Sequence, residues 1–476
     1  MGYYILKCYD ISLAPETVFS ALSDERGCFF LDSSLSSGSL AGDFSFLGNS
    51  PYLILKGEDK KFLSLVDEEI TVHHLKPNSN LPFISGAVGY MSYEFGLGFL
   101  PKPITRNNSL IPVSGSQFSF YSTIFAFDHR RKKIIICSNG APEKNTAFAK
   151  TLAKENFKKA EDLLLKLVNK KHPSKNKNKT KTPTSLSFSV GRLDYLEAIN
   201  KAKEYIRQGE IYQVNLSHQV SGVCNIASPA LYLRLREKNP SAFGAYFDAG
   251  DYQIISSSPE CFLTLRGNKV TTRPMKGTRP RSENLIKDRK NKLELLESKK
   301  DKAELLMILD LERNDLGRVC KYGTVKVKKM RKIESYKNVF QTTATIEGVL
   351  HPKKTRTELL RACFPGGSIT GCPKIRAMEV ISELELRGRG VYTGALGYLS
   401  FCGNMDFNIL IRSMLKKGKR ISFGIGGGVV ADSTARAEYE ETLVKAKGMM
   451  QALGVNIRDT FCPSRAHRRT FRLRRV

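Results

Sequence analysis

Strand-like segments come in groups along this chain, and helices lie between the groups rather than after every strand. Residues 44–55 and 84–100 mix alternating apolar residues with glycine breaks, a pattern typical of strands and turns. Residues 252–277 contain two strand-like runs around Gly267 and Asn268, which is a β-hairpin signal. A parallel sheet would need a crossover connection after each strand. The order of elements therefore predicts an α+β fold with large antiparallel β-sheets rather than a doubly wound parallel sheet.

Helical periodicity is clear in three places. A helix is predicted from about residue 145 by one apolar stripe, which consists of Phe148, Leu152, Ala160, Leu163, Leu164 and Leu167. A second helix has apolar residues at positions 196, 199, 202 and 206, and Gly209 is a natural C-terminal stop. A third helix is predicted around residues 298–311.

Two strongly basic segments divide the chain. Its 476 residues include 76 basic and 46 acidic ones, which gives a formal net charge of +30. Residues 169–185 contain six lysines and residues 462–476 contain six arginines, with no acidic residue in either segment. Segments of this composition bury too little apolar surface to offset the entropy of ordering. We therefore predict an N-terminal region 1–168, a lysine-rich linker 169–185, a C-terminal region 186–455 and a basic tail 456–476.

Composition and spacing exclude several classes of protein. No run reaches 18 apolar residues and the N-terminus lacks the pattern of a secretory signal, so we expect no membrane association and a cytoplasmic location. The ten cysteines form no C-x-x-C pair and the seven histidines no H-x-x-x-H, which argues against a zinc site or a compact disulfide framework. The positive charge suits either a nucleic acid or a small anionic substrate, and both stay open at this point.

Two glycine-rich runs lack the spacing of nucleotide-binding loops. Residues 366–371 are not followed by the Lys and Ser/Thr of a P-loop, and residues 424–428 lack the G-x-G-x-x-G pattern. Both runs instead predict tight turns, where glycine lets the backbone approach a ligand or another strand.

Acidic residues cluster on two predicted helix faces. Asp301 and Glu304 are three residues apart, and Glu438, Glu441 and Lys445 follow at i, i+3 and i+7. Each face alone is typical of a solvated helix surface. Two such faces in a basic protein favour a shared divalent cation, and carboxylate oxygens suit Mg²⁺ rather than zinc.

Lys276 lies in the run RPMKGTRPR (273–281), where it is flanked by Arg273, Arg279 and Arg281. A lysine among cations loses proton affinity and can become a nucleophile. The alternative is a basic surface loop with no chemical role.

Read together, these segments resemble the chorismate-utilising enzymes. That family includes component I of anthranilate synthase, component I of aminodeoxychorismate synthase, and the isochorismate and salicylate synthases. The matching strings, in the family's order, are IYQVNLS (211–217), SSPECF (257–262), RPMKGTRPR (273–281), KDKAELLMILDLERNDLGRV (300–319), FPGGSITGCPKIRAMEVI (364–381), RGVYTGALGY (389–398), FNILIR (407–412) and GIGGGVVADSTARAEYEETLVKA (424–446). Residues 31–34, 42–51 and 82–94 are similar to the amino-terminal half of the same enzymes.

The resemblance implies the α/β sandwich of the anthranilate synthase component I type, with residues 186–455 as the chorismate-binding catalytic domain. It also implies a Mg²⁺-dependent reaction on chorismate, a small dianion, and makes nucleic acid an improbable partner. The metal would be held by Glu304 and Glu441, with Asp301 and Glu438 as outer carboxylates. Glu260 matches the acid that protonates the departing hydroxyl. The resemblance also implies residues that contact the substrate. Arg412 and Lys445 would bind its carboxylates, and a turn at Gly426, Gly427 and Gly428 would bring backbone N–H groups alongside them. Thr278 and Thr370 would line the pocket.

Two positions indicate the branch of the family. Gln213 stands in the substrate site where hydroxylating members carry a lysine that activates water, so water is a poor nucleophile here. Lys276 replaces the alanine of the anthranilate synthase motif P-I-A-G-T, and a lysine there is the mark of aminodeoxychorismate synthase component I. By that resemblance Lys276 acts as a covalent catalyst in forming 4-amino-4-deoxychorismate, a precursor of p-aminobenzoate and folate. Anthranilate synthase component I is the alternative.

The resemblance also implies a partner, and the chain departs from the family in two respects. No segment resembles a glutaminase, so ammonia should come from a separate glutaminase subunit in a heterodimer. The histidine common in anthranilate synthases falls at about Gln341, which leaves its role unfilled. Tryptophan-inhibited members carry L-L-E-S and N-P-S-P-Y-M where this chain reads LDSS (31–34) and NPSAFGAY (239–246), so we expect no tryptophan feedback.

Overall fold

The computed structural model describes residues 2–35, 42–59, 61–78, 81–105, 108–169, 185–336 and 339–455. Residues 170–184 of the predicted linker and the whole predicted tail 456–476 lie outside the described residues.

The strands of the described residues follow in chain order. They are β1 (Tyr4–Tyr9), β2 (Phe29–Asp32), β3 (Phe44–Gly48), β4 (Leu53–Gly57), β5 (Gly86–Met91), β6 (Ser116–Tyr121), β7 (Thr123–Asp128), β8 (Lys133–Asn139), β9 (Ser185–Phe188), β10 (Gln213–Val223), β11 (Phe243–Asp248), β12 (Gln253–Ser258), β13 (Cys261–Arg266), β14 (Lys269–Arg273), β15 (Met275–Pro280), β16 (Lys326–Ser335), β17 (Val339–Val349), β18 (Gly371–Cys372), β19 (Ala395–Ser400), β20 (Met405–Ile409), β21 (Ser413–Lys417) and β22 (Arg420–Val429).

The helices lie between groups of strands, as the sequence predicts. They are α1 (Pro15–Leu22), α2 (Phe62–Val72), α3 (Tyr93–Leu97), α4 (Thr146–Asn169), α5 (Arg192–Arg207), α6 (Ser228–Lys238), α7 (Leu285–Glu297), α8 (Lys299–Gly317), α9 (Arg356–Cys363), α10 (Lys374–Leu384) and α11 (Ala435–Leu453). In the part of the chain that the structure describes, no helix is both long enough and apolar enough to cross a membrane.

Two large antiparallel sheets contain these strands. The first has twelve strands in the order β1-β8-β7-β3-β2-β11-β12-β21-β22-β10-β18, with β9 also paired to β10. The second has ten strands in the order β15-β17-β14-β13-β20-β19-β5-β6-β4, with β16 also paired to β17. Strands from before and after the lysine-rich segment share both sheets, because β2 pairs with β11 and β5 pairs with β19. The predicted α+β fold with large antiparallel sheets is confirmed.

Two hydrophobic cores cover the two faces of the first sheet. Successive residues of a strand point to opposite faces. Phe29 therefore joins the core between the two sheets, where it meets Phe83, while Phe30 joins the core beneath the helices, where it meets Phe19 of α1. The second core also takes in buried residues of α4, α6 and α11, so α11 is fixed against the first sheet. This packing holds the acidic face of α11 beside strand β22.

The helices and the hairpin predicted from sequence periodicity are confirmed where a single periodic run forms a single helix or strand. The three predicted helices are α4, α5 and α8, and α5 ends just before Gly209, which has a φ of +78°. The predicted hairpin joins β13 and β14, whose Arg266 and Lys269 pair across the turn. Residues 252–277 form more strands than predicted because the chain crosses from the first sheet to the second between Ser258 and Cys261.

Candidate active site

The glycine run of β22 lies against β10. The predicted turn at residues 424–428 is wrong, since all five residues continue the strand, and Gly426 pairs with Ser217. A side chain at Gly426 would bring its Cβ within 2.5 Å of the Leu216 carbonyl oxygen, which explains why glycine is required. The other predicted turn is confirmed, because residues 367–369 form a single 3₁₀ turn.

The next two glycines of β22 leave room for charged side chains. A Cβ on Gly427 would lie 3.3 Å from Oε2 of Glu438, and a Cβ on Gly428 would lie 2.9 Å from Nε2 of Gln213 and 3.5 Å from Nζ of Lys276. The structure therefore brings these predicted residues together from α11, β10 and β15 around one glycine-lined strand.

Lys276 is placed by a bulge in the second sheet. The pairing of β15 with β17 shifts register between Lys276 and Thr278, and Gly277 between them has a φ of +74°, a conformation that favours glycine. A Cβ on Gly277 would lie 2.9 Å from the side chain of Asp301. The bulge directs the ammonium of Lys276 toward the Ser368 carbonyl oxygen, to which it donates at 3.5 Å.

The three arginines that flank Lys276 in the sequence are each paired with a carboxylate in the described residues, so their positive charges are offset by those partners. The pairs are Arg273 with Glu334 at 2.5 Å, Arg279 with Glu294 at 2.8 Å and with Asp301 at 3.2 Å, and Arg281 with Asp288 at 2.9 Å. The charges that act across the site on Lys276 are instead those of Glu260, Glu304 and Glu441.

Glu260 is a buried carboxyl at the point where the chain enters the second sheet. Its backbone N–H donates to the Ser258 hydroxyl at 3.2 Å and its carbonyl oxygen accepts from Ile409 at 3.2 Å. Burial raises the pKa of Glu260, while the Ser368 hydroxyl, Lys276 and then Arg412 act to lower it. A carboxyl with a raised pKa beside cations suits a proton donor.

Arg412 holds a strained backbone conformation with a φ of +51°. Its carbonyl oxygen accepts hydrogen bonds from the backbone N–H of Ser257 at 3.2 Å and from the Ser257 hydroxyl at 3.3 Å. Burial lowers the pKa of Arg412, and its guanidinium forms no ion pair with any residue that the structure describes. A half-buried arginine of this kind is suited to bind a substrate carboxylate.

Two acidic helix faces meet across the site around a lysine. Nζ of Lys300 lies 3.9 Å from Glu304 on α8 and 3.7 Å from Glu438 on α11. Lys445 pairs with Glu441 at 2.8 Å and donates to the Gly426 carbonyl oxygen at 2.9 Å. The helices thus place carboxylates of both predicted faces around one cation.

The carboxylates of this cluster differ in their pKa shifts. Burial raises the pKa of Glu304, and the positive charges of Lys276 and Lys300 partly offset that rise. Lys445 lowers the pKa of Glu441. The cluster therefore combines a more basic carboxylate with one that ionises readily.

The donor chemistry of this cluster fits a hard divalent cation. Carboxylate oxygens from two helices surround the ammonium of Lys300. Proteins bind Mg²⁺ with a similar donor set, namely one or two carboxylates together with water and substrate oxygens. Across the described residues, no group of three or more His, Cys, Asp or Glu side chains is arranged to hold a metal ion by itself. Asp301 is turned to Arg279 rather than to Lys300.

The other predicted substrate contacts lie at different depths. Gln213 is fully buried and neither of its amide atoms has a hydrogen-bond partner among the described residues. The hydroxyl of Thr370 donates to the Gly366 carbonyl oxygen at 2.9 Å, which stabilises the 3₁₀ turn. Thr278 is exposed and accepts from Nε2 of Gln341 at 3.3 Å.

A buried ion pair that the sequence analysis missed supports strand β10. Arg389 and Glu385 are both buried and pair at 2.7 Å, while Glu385 also accepts from the backbone N–H of Ser217 at 2.8 Å. Arg389 donates to the Asn215 carbonyl oxygen at 2.5 Å. Opposite charges at i and i+4 were the available signal, although that spacing is more often found on exposed helices.

Comparison with known proteins identifies the family of the chain. The chorismate binding enzyme family model matches residues 35–451. The chain is 33% identical over 469 residues to anthranilate synthase component 1 from Acetivibrio thermocellus, with 92% of each chain covered. It is 36% identical over 376 residues to aminodeoxychorismate synthase component 1 from Escherichia coli (strain K12), with 79% of this chain and 78% of that protein covered.

A solved structure shares the architecture. The crystal structure of anthranilate synthase component I from Streptococcus pneumoniae TIGR4 superposes with a TM-score of 0.76 at 31% identity, and covers 87% of this chain and 94% of its own. The relatives carry two different reaction names, while the family model spans most of the chain. The chain therefore belongs to the chorismate binding enzyme family and is a chorismate-utilising enzyme.

Proposed function

We propose that this enzyme aminates chorismate to 4-amino-4-deoxychorismate, with Lys276 as the nucleophile. The observation that carries the proposal is the position of Lys276, whose ammonium lies 3.5 Å from the Ser368 carbonyl oxygen and opposite the glycine strand at Gly428. The positive charge of Lys276 acts to lower the pKa of the buried Glu260 on one side and of Glu304 on the other. A nucleophile, a proton donor and an acidic cluster therefore share one site.

The reaction proceeds through two displacements. The neutral amine of Lys276 bonds to ring carbon 2, the double bond shifts, and the hydroxyl leaves carbon 4 with a proton from Glu260 as water. Ammonia then bonds to carbon 4, the double bond shifts back, and the bond to Lys276 breaks to release its neutral amine. The proton that the new amino group loses returns to the Glu260 carboxylate. The net change replaces hydroxyl by amino at carbon 4, with chorismate and ammonia giving the product and water.

Two cations are available for the two carboxylates of chorismate. Arg412 is half-buried without an ion-pair partner among the described residues, and Lys445, which pairs with Glu441, donates to the Gly426 carbonyl oxygen of the glycine strand. Charge-assisted hydrogen bonds from these groups would orient the ring between Lys276 and Glu260.

Glu304 and Glu441 would hold Mg²⁺, with Glu438 and Asp301 outside them. The support is the oxygen donor set on two helix faces around the ammonium of Lys300. A bound Mg²⁺ supplies Lewis-acid attraction for the ring carboxylate, which favours departure of the hydroxyl. Because Lys300 contacts Glu304 and Lys445 pairs with Glu441, both ammonium groups must shift when the cation binds.

In the second displacement the group that attacks carbon 4 is ammonia rather than water, because Gln213 is neutral. An amide does not remove a proton from water, whereas ammonia is already nucleophilic. We propose that a separate glutaminase subunit supplies this ammonia in a heterodimer that serves p-aminobenzoate and folate synthesis. Relatives named aminodeoxychorismate synthase component 1 support this assignment.

Anthranilate synthesis is the second candidate. It is favoured by the Acetivibrio thermocellus relative, which matches 92% of this chain and is named anthranilate synthase component 1. In that reaction ammonia takes carbon 2 directly, the position that Lys276 occupies in the proposed mechanism, so a lysine nucleophile would have no use.

Product analysis distinguishes the two candidates. Purified protein is incubated with chorismate, Mg²⁺ and an ammonium salt, and aminodeoxychorismate lyase is added afterwards. We expect p-aminobenzoate after lyase treatment and none without it. Anthranilate as the product, with no p-aminobenzoate, would reject the proposed reaction. A parallel incubation without ammonium salt controls for ammonia-independent breakdown of chorismate.

A further inference from the structure

Strand β13 is irregular two residues after Glu260. Its pairing with β14 shifts register between Cys261 and Thr264, and its pairing with β20 shifts between Cys261 and Leu263. Such a bulge takes one residue out of the regular ladder and aims nearby side chains. The carbonyl oxygen of Phe262, within the bulge, accepts a hydrogen bond from the Thr272 hydroxyl at 2.7 Å. This bond ties β13, which begins directly after Glu260, to β14, which leads to Lys276.

A second acceptor faces the same hydroxyl. Oε2 of the buried Glu312 on α8 lies 2.9 Å from Oγ1 of Thr272. A threonine hydroxyl has one proton to donate and two lone pairs. Both short contacts are hydrogen bonds only if Glu312 carries a proton and donates it to Thr272, which in turn donates to Phe262.

The surroundings of Glu312 favour this protonated form. Burial raises the pKa of Glu312 to about 8, and the negative charges of Glu260 and Asp315 act in the same direction. The hydrogen bond with the Thr272 hydroxyl and the charge of Lys374 act against that rise, and Lys374 itself pairs with Asp315. The thiols of Cys261 and Cys363 also interact with Glu312, and burial raises the pKa of each.

We propose that Glu312 is a positioning residue that donates a hydrogen bond to Thr272 and thereby holds the bulge that aims Glu260. The effect on turnover rests on the proposed function, whereas the hydrogen-bond chain does not. When Glu312 ionises, one hydroxyl proton faces two acceptors, and either the carboxylate or the Phe262 carbonyl loses its partner. The bulge then loosens next to the proton donor.

The direction of the pH dependence follows from this arrangement. The pKa of Glu312 is raised in the folded protein, so its contribution to stability is complete below the unfolded value of about 4.5. That contribution is lost as the pH rises toward and through about 8. Turnover should fall over the alkaline end of the same range.

Glu312→Gln provides the main test, because an amide donates to Thr272 at every pH. Relative to this variant, the melting temperature of the wild type should decline as the pH rises from 6 to 9. At pH 7 the variant should retain kcat within about threefold of wild type, and the alkaline fall near pH 8 should be absent from it. Thr272→Val should lower kcat about tenfold, and Thr272→Ser, which keeps the hydroxyl, should restore it.

These measurements test the role of Glu312 whichever chorismate reaction the enzyme performs. If the wild type and Glu312→Gln show the same pH dependence of both melting temperature and turnover, the proposal is wrong. It is also wrong if Glu312→Gln folds but loses activity as severely as Thr272→Val, since that would mean the carboxylate is required. If no 4-amino product forms with the wild type, the proposed function fails, and the melting temperatures alone still test the hydrogen-bond chain.

Discussion

Lys276 is surrounded by counter-charges that its neighbours in sequence do not reveal. The run RPMKGTRPR predicts a crowd of cations, yet each arginine pairs with a carboxylate brought from elsewhere, such as Glu334. Glu260 and Glu304 act on the lysine across the site instead. The sequence shows which charged residues are present, but it does not show which residues pair with them in the fold. For the same reason the i, i+3 spacing of Asp301 and Glu304 could not predict that Asp301 turns to Arg279.

At the residue scale, Glu304→Gln and Glu441→Gln should weaken Mg²⁺ binding. Each removes one charged oxygen ligand from the proposed hard-cation site, so the dissociation constant for Mg²⁺ should rise at least about tenfold. Isothermal titration with Mg²⁺ measures this directly, and turnover should recover in part at high Mg²⁺.

Glu440→Gln is the matched control for the metal prediction. Glu440 is exposed on the same helix as Glu441 but pairs with Arg436 at 3.1 Å. Its replacement should leave Mg²⁺ affinity unchanged. Wild-type affinity in both Glu304→Gln and Glu441→Gln would remove these residues from the metal site.

At the element scale, sequence periodicity predicted those helices and hairpins whose formation depends on residues close together in the chain. Helices α4 and α5 each follow one apolar stripe, and the hairpin at Gly267 has its own turn residues. Helix α7 lacks a clear apolar stripe in the sequence, because Leu285 and Ile286 are more than 80% exposed while Leu295 is buried. The glycine run of β22 resembles a turn in the sequence, because the contact that requires glycine there, the close approach of β10 and α11, is long-range.

The glycine strand should tolerate no side chain at Gly428. In Gly428→Ala the new Cβ would lie 2.9 Å from Nε2 of Gln213 and 3.5 Å from Nζ of Lys276. Both neighbours are ends of flexible side chains, so the fold should persist while the site is displaced. We expect kcat to fall about 10²-fold with little change in melting temperature. Gly317→Ala, where a Cβ meets nothing within 4 Å, is the control and should keep full activity.

At the scale of the whole molecule, the sheets join distant parts of the chain. The pairings β2 with β11 and β5 with β19 link residues more than 200 positions apart, and no sequence pattern specifies them. The order of strand groups and helices was enough to predict antiparallel sheets, but not that both regions contribute to both sheets. The ordered family strings predicted the architecture because they carry that long-range information implicitly.

Removal of residues 462–476 should leave the chemistry intact. The family match ends at residue 451, and every candidate site residue lies before it. The truncated protein should form the 4-amino product within about twofold of the full chain at the same melting temperature, as judged by product assay and thermal unfolding. A truncated protein that unfolds at the wild-type temperature but is inactive would assign the arginines of this segment to the active enzyme.

The most direct test of the central claim is a search for the covalent intermediate on Lys276. Protein supplied with chorismate and Mg²⁺ but no ammonia is quenched in acid without borohydride and analysed by intact-protein mass spectrometry and peptide mapping. We predict an added mass equal to chorismate less water, located within residues 273–281 and absent from Lys276→Ala. In that variant any residual amination should shift toward carbon 2. A wild-type protein without adduct, together with a Lys276→Ala variant that still makes the 4-amino product, would contradict nucleophilic catalysis by this lysine.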